Sequence, residues 1–492
     1  VEAPRVKGQL RGLCLAAMLL PALLDAPARA SPWAEVGDSA LRSDIEILAA
    51  AGVLDNLTSH WPLPWTAIAH QIEAAPLAGQ PAMVRDAADR VLRRAHSETA
   101  DGWQAEGSID LTNRPNVVYD FGGMGRGDGE ALSALTYNDK GFSGRLSLGV
   151  FSQSPSSPGT RLIADNSYAA VKLGDALLYA GDVTHWWGPG WISALSLSNN
   201  AEPFPQVGIE RLDTSASSWP VLNWLGPWQA EFFVGLLDGP RIDKDTLYNA
   251  LRVTFNPAPG LQIGLARTEE FCGEHHPCDP IRGYFDLNNS PTHQDITNDE
   301  GLIDVQYTTE LNGLPVSAYV SLMNEDSSPF THSGTTHLIG ASIWHPLAGN
   351  LARLTVEFTD SVATRDIFSF GNVIYGYSYT NFSYLDGMHY RDRTLGFSLD
   401  TDSKLATLQL AWSDEGGRYY QLTFDHADIS DPQNPAGNVV TSAPVAIDLG
   451  EARFTLPLPW FKLDLAFRLQ DDQPRPDKGF AASIETGLRF SF

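Results

Sequence analysis

The stretch GFAASIETGLRFSF, residues 479–492, decides how the rest of the chain is read. Every second residue from Phe480 gives Phe480, Ala482, Ile484, Thr486, Leu488, Phe490 and Phe492; between them lie Ala481, Ser483, Glu485, Gly487, Arg489 and Ser491. Successive side chains of a strand point to opposite faces, so this segment has one apolar and one polar face. Either a second sheet or lipid must cover the apolar one.

The same period of two runs back to about residue 105. WQAEFFVGL sets Trp228, Ala230, Phe232, Val234 and Leu236 on one face; LIDVQYTTE sets Ile303, Val305 and Tyr307 against Asp304 and Gln306; FKLDLAFRL sets Phe461, Leu463, Leu465, Phe467 and Leu469 against Lys462, Asp464 and Arg468. There are about 18 to 20 such segments, more than a soluble sandwich usually holds, and their polar partners are long and charged, as suits a wet lumen. A last strand ending in Phe492 resembles the assembly signal of bacterial outer-membrane barrels. The fold expected is mainly β: a transmembrane antiparallel barrel of about 18 strands, even-numbered residues of the last strand facing lipid. Long polar segments at 273–300, 361–393 and 427–446 read as outer loops.

Bulk composition fits that reading without demanding it. The chain has 492 residues, 43% of them hydrophobic, with Gly 43 and Trp 13. After residue 30 no run of 18 apolar residues occurs, so no membrane helix is written, which leaves a barrel open. Residues 1–30 read as a signal peptide: Arg5, Lys7 and Arg11, then GLCLAAMLLPALL, then Ala28-Arg29-Ala30. A formal charge of −26 argues against general nucleic-acid binding and against charge-driven docking on anionic lipid. Cys272 and Cys278, in FCGEHHPCDP, read as a small disulfide loop; the alternative makes them zinc ligands with His275 and His276, at a spacing that matches no standard zinc pattern.

Residues 31–104 differ in period. Leu41, Ile45 and Leu48 share one helical face after the cap candidates Asp38 and Ser39, with Gly52 placed to end the helix. A second helix follows Pro64, and a third starts at Pro81 with Val84, Ala87, Ala88, Val91, Leu92 and Ala95 on one face. Three short helices make a small core, so this module is expected to lean on the barrel, 105–492, from its periplasmic side.

Two constellations could carry function. GDVTHWWGPGWISALSLSNNAEPFPQVGIERLD, residues 181–213, gathers His185, Trp187, Trp191, Asn199, Asn200 and Arg211. Indole faces can stack on sugar rings while Asn, His and Arg bond hydroxyls and carboxylates. The plainer alternative is that the tryptophans line the membrane interface or pack the barrel wall against the helical module, Gly-Pro-Gly making a corner. SYLDGMHYRDRTLG supplies Tyr390, Arg391 and Arg393, which can clamp an acidic sugar or balance lumenal charge. No nucleophile elbow, His-Glu-x-x-His helix, Walker loop or dinucleotide fingerprint is present, so no catalytic residue, metal or cofactor is assigned.

LRSDIEILAAAGVLDNLTSHWPLPW, HWWGPGWISALSLSNNAEPFPQVGIER and GMHYRDRTLGFSLDTDS together resemble the capsule-assembly Wzi family of outer-membrane proteins, in consistent order over nearly the whole chain after residue 30. The resemblance implies an eighteen-stranded barrel, a helical bundle closing its periplasmic side, and a surface lectin that anchors capsular polysaccharide rather than transporting it. His185, Trp187, Trp191, Asn199, Asn200, Arg211, Tyr390, Arg391 and Arg393 match the family pattern and are the candidate glycan-binding residues. The expectation is a monomer whose partners are surface polysaccharide and outer-membrane lipid. An oligosaccharide channel and an outer-membrane hydrolase are the alternatives.

Overall fold

The computed structural model describes residues 31–152, 159–278, 297–325, 334–347, 350–367, 371–414, 416–431, 433, 437–474 and 479–491. Residues 1–30 and Phe492, on which the signal peptide and the terminal-aromatic reading rest, lie outside these.

Eighteen antiparallel strands close into a barrel, from Gly102–Thr112 to Ala481–Ser491. The ends of the sheet meet directly: Leu488 lies opposite Ile109 and Arg489 opposite Ser108, so no edge is left unpaired. The alternation read from the last strand is the alternation of the wall. Ala482 and Ile484 are exposed on the outside, whereas Glu485 is buried inside and bonds Arg468, itself bound to Glu451. The same division holds elsewhere. Leu146, Leu148, Val207, Ile209, Ile339 and Leu408 stand outward, while Gln229, Glu231, Arg252, Gln262, Asp304 and Gln306 are buried in the lumen. Among the described residues the other sheets are two-stranded ribbons of mostly buried residues, such as His60–Trp61 with Trp186–Trp187, and the outward apolar side chains stay exposed, as a lipid-facing wall requires.

One end of the barrel carries mostly short turns, such as Asn138 to Phe142, Ala258 to Leu261 and Leu311 to Leu314. Just above these turns the outer face bears aromatic groups. Trp103 packs on Tyr137, Trp412 on Tyr420, Tyr420 on Phe454 and Phe461 on Phe490, with Trp460 exposed. Such a belt marks a membrane–water interface, where amphipathic rings are most stable.

Three helices, α1 (Ser39–Ala50), α2 (Trp65–Ala74) and α3 (Ala82–Glu98), precede the first strand. Asp38 caps α1 by accepting from Leu41 N–H at 3.0 Å, and Gly52 follows the helix at φ +68°. The sequence shows one apolar stripe on α1, yet residues 41–49 are buried all round, Arg42, Asp44 and Glu46 included. The cause is insertion: α1 packs against the strands Thr297–Leu311 and Leu314–Glu325 within the barrel, and Trp344 Nε1 from the wall donates to Ser43 at 2.7 Å. The helices α2 and α3 keep one solvent face, so this module is a plug with one helix inside and two below.

Candidate functional site

The nine candidate residues occupy three different places. The first is the core. His60–Trp61, in the turn before α2, pairs antiparallel with Trp186–Trp187, which makes the tryptophan motif half of a small ribbon shared with the plug. Trp187 and Trp191 are 0% and 1% exposed. His185, also buried, stacks on Trp187 at 5.7 Å and lies 3.6 Å from Glu231. Burial holds the His185 pKa down to about 4, with Glu231 opposing and His60 assisting, so the ring is neutral there at pH 7.

Around this ribbon the plug and the loops interlock. The Arg42 guanidinium donates to the carbonyls of Pro189 and Gly190 at 2.7 and 2.9 Å and pairs with Glu46 at 3.0 Å. It lies between the rings of Phe121 and Trp191, at 4.6 and 4.2 Å. Glu357, from the wall, accepts the backbone N–H groups of Trp191 and Ser193, both at 2.7 Å, and the Tyr319 hydroxyl at 2.7 Å. The Gly-Pro-Gly corner is sterically required: a Cβ on Gly190 would sit 2.1 Å from the Ser193 carbonyl, and Gly188 has φ +139°. None of these tryptophans offers a face to a sugar. Their candidate role as stacking platforms is replaced by a packing role, because His185, Phe233 and His60 surround Trp187, and Arg42 and Arg353 lie over Trp191.

The second place is the short-turn end. Arg211 closes the strand Pro205–Arg211 there, bound to Asp175 at 3.1 Å, to the Trp228 carbonyl at 2.7 Å, and laid on the Trp228 ring at 4.1 Å. Chain direction puts it at the opposite end from Tyr390, Arg391 and Arg393, so it shares no site with them.

The third place is the long-loop end, where segments 113–128, 183–204 and 371–403 turn inward and cover the lumen. Asn199 donates to the carbonyls of Asp120 and Phe121 at 3.1 and 3.2 Å, and Asn200 to that of Thr394 at 2.8 Å. On this frame Arg393 bonds Asn200 Oδ1 at 3.0 Å and the Arg126 carbonyl at 2.8 Å. Arg391 pairs with Glu202 at 3.7 Å and Asp238 at 3.4 Å. The Tyr390 hydroxyl also donates to Asp238, Arg161 pairs with Glu202, and Arg126 with Asp165. The structure therefore brings together Asn199, Asn200, Tyr390, Arg391 and Arg393, and adds Arg126, Arg161, Asp165, Glu202 and Asp238. Of the added residues only Glu202 lies in a quoted motif, SNNAEPFP; the others stand at strand ends or in the glycine-rich turn GGMGRGDG, where no spacing announces them.

Beside this cluster, Cys272 and Cys278 are joined by a disulfide, which removes their thiolates as metal ligands. His276 instead bonds Asp243 at 2.9 Å and stacks on Tyr384 at 3.9 Å, tying the disulfide loop to the 371–403 segment. Among the described residues no group of three or more His, Cys, Asp or Glu side chains could hold a metal ion.

A closed eighteen-stranded barrel with an apolar outer face, an interfacial aromatic belt and a lumen filled from both ends is an outer-membrane barrel of the plugged kind. The chain belongs to the capsule assembly protein Wzi family, which matches residues 104–460. It is 26% identical over 330 residues to an uncharacterized 55.8 kDa protein in the cps region of Klebsiella pneumoniae, covering 66% of this chain and 65% of that relative's length. Its fold superposes on Escherichia coli Wzi, described as an outer-membrane, carbohydrate-binding β-barrel involved in group 1 capsule assembly. The TM-score is 0.81 at 21% identity, over 94% of this chain and 100% of that one.

Proposed function

We propose that this protein is a surface lectin: it holds capsular or exopolysaccharide at the outside of the outer membrane during capsule assembly, without transporting or cleaving it. On this reading the helical module lies on the periplasmic side and the long loops face outward, in keeping with the rule that outer-membrane barrels turn tightly toward the periplasm. The carbohydrate binding described for the E. coli relative supports the ligand class. The observation that carries the reading is the interlock of Arg42 with Pro189 and Gly190, which joins plug and inward-folded loops into one core and leaves the barrel a rigid support for its outer surface. The protein acts as a monomer, with lipid on its outer wall.

One observation favours a second reading, passage of small solutes. A polar cavity of about 760 Å³ opens between the helices and the wall, lined by Glu35, Asp38, Arg94, Arg453 and Arg489. A second, of about 290 Å³, shares Gly122, Met124, Arg145 and Arg489 with it and reaches Asn199. Planar-bilayer recording combined with polysaccharide pull-down separates the two. A silent bilayer with retained polysaccharide is expected; steady current through the intact protein, with no polymer retained, would overturn the lectin.

A further inference from the structure

We propose that the arginine–aromatic cluster at the long-loop end receives the carboxylate of an acidic sugar, so that the retained polymer is an anionic one; the inference rests on the lectin reading and sharpens it. Net charge does not carry it. Arg126, Arg161, Arg391 and Arg393 meet Asp165, Glu202, Asp238 and, within electrostatic reach, Asp182, so the cluster is balanced. The geometry of the guanidinium groups carries it.

Three of the four lie against aromatic rings: Arg161 on Phe151 at 4.7 Å, Arg391 on Tyr390 at 5.1 Å and Arg393 on Tyr119 at 4.6 Å. A ring beneath a guanidinium fixes its plane and takes up one weakly hydrated face, which leaves the N–H edge as the part that recognises carboxylates two bonds at a time. Those edges are underused. Arg391 reaches its carboxylates only at 3.4 and 3.7 Å, beyond the usual range of about 2.7–2.9 Å for charge-assisted bonds. Arg393 bonds neutral oxygens alone.

Accessibility sets Arg161 and Arg391 apart from the arginines buried deepest in the lumen. Arg161 and Arg391 are 23% and 24% exposed, against 0% for Arg252 and 1% for Arg468, which are locked to wall carboxylates. Asp238 is the more exposed partner of Arg391, at 45% against 7% for Glu202. Binding is then an exchange: Asp238 swings to water and a sugar carboxylate takes the Arg391 edge in bidentate form. Exchange also explains how a chain of charge −26 can hold an anion, because the carboxylate it displaces returns to solvent.

The test uses the full chain in nanodiscs and two immobilised probes, a glucuronate-containing capsular polysaccharide and the same polymer with its carboxylates reduced to alcohols. The native polymer is expected to bind at least about tenfold tighter, an advantage that shrinks with added salt. Arg391→Gln and Arg393→Gln should each lose about tenfold toward the native polymer and little toward the reduced one. Arg391→Lys, which keeps the charge and guards against a folding defect, should fall between wild type and Arg391→Gln. Equal affinity of the wild type for both polymers would overturn carboxylate recognition and leave the lectin standing. Binding of neither polymer would overturn the lectin reading, and this inference with it.

Discussion

The backbone of Trp187 lies directly opposite that of His60, so the densest aromatic motif of the chain is hydrogen-bonded to its helical plug rather than presented at its surface. Both rings are fully buried, and the His60 imidazole bonds Thr254 at 3.1 Å and Glu231 at 3.2 Å on the wall. This ribbon joins plug, loop and barrel at one point. Replacing Trp187 or Trp191 with alanine should cost about 3–5 kcal/mol of stability, the usual range for emptying a large aromatic site. The amount of folded protein at the cell surface would fall, while polysaccharide affinity per folded molecule would not. Surface-normalised binding checks this; a selective loss of affinity at unchanged stability would return these residues to the ligand site.

Arg42 offers a sharper probe of closure. Its loss leaves Glu46 buried without its cation and takes a donor from the Pro189 and Gly190 carbonyls, of which Gly190 keeps Trp186 Nε1 at 2.9 Å; breaking a buried pair in this way costs about 3–5 kcal/mol. The plug should then leave the barrel part of the time. Arg42→Ala is expected to expose residues 31–101 to protease in nanodiscs, where the periplasmic face is open to the enzyme, and to give flickering current where the wild type is silent. Wild-type protease resistance together with a silent bilayer would show that Arg42 does not hold the plug.

Much of this architecture is legible in the sequence, for a physical reason. A wall with lipid on one side and a wet lumen on the other imposes a period of two, and Ile484 beside Glu485, or Val305 beside Asp304, records it residue by residue. The helices are legible at their caps and stripes, but not the all-round burial of α1, because Arg42, Asp44 and Glu46 look like a solvent face until a barrel surrounds them. Residue type alone could not separate a tryptophan that stacks on sugar from one that packs on a plug, and Trp187 and Trp191 are of the packing kind. Arg211 lies twelve residues after Asn199 in the same motif, yet one strand carries it to the far end of the barrel. Arg126 and Arg161 join Arg391 through chain crossings that leave no local pattern.

The outer cap has its own pH dependence. His389, in the 371–403 segment, bonds Asp400 at 2.8 Å and the Asp386 carbonyl at 2.7 Å. Burial alone would lower its pKa; the Asp400 carboxylate outweighs burial and raises it above the ordinary imidazole value. A histidine raised in the folded state contributes stability that is complete below its unfolded pKa, about 6.5, and is lost as pH climbs through the folded value. The cap should therefore resist chymotrypsin better at pH 6 than at pH 9, and His389→Gln should remove most of the difference. A wild-type advantage over the variant that stays constant across this range would discard the ion pair as its source.

Lipid contact makes the most general prediction. Leu408 and Gln409 are neighbours in the strand Lys404–Ser413, but Leu408 stands outward, 44% exposed, opposite Val356 and Phe424, whereas Gln409 is buried in the lumen and bonds Arg353. If hydrocarbon covers the outer wall, a guanidinium at 408 must be dragged out of water or must snorkel, at about 2–4 kcal/mol near the bilayer midplane. In a soluble protein the same exposed position would accept arginine within about 0.5 kcal/mol. Leu408→Arg is therefore expected to lower unfolding stability in phospholipid vesicles by the larger amount, and to do so less in thin-chain lipids whose interface lies nearer the residue. Reversible denaturant titration in bilayers of two thicknesses measures it. A small penalty, indifferent to chain length, would place position 408 outside the hydrocarbon.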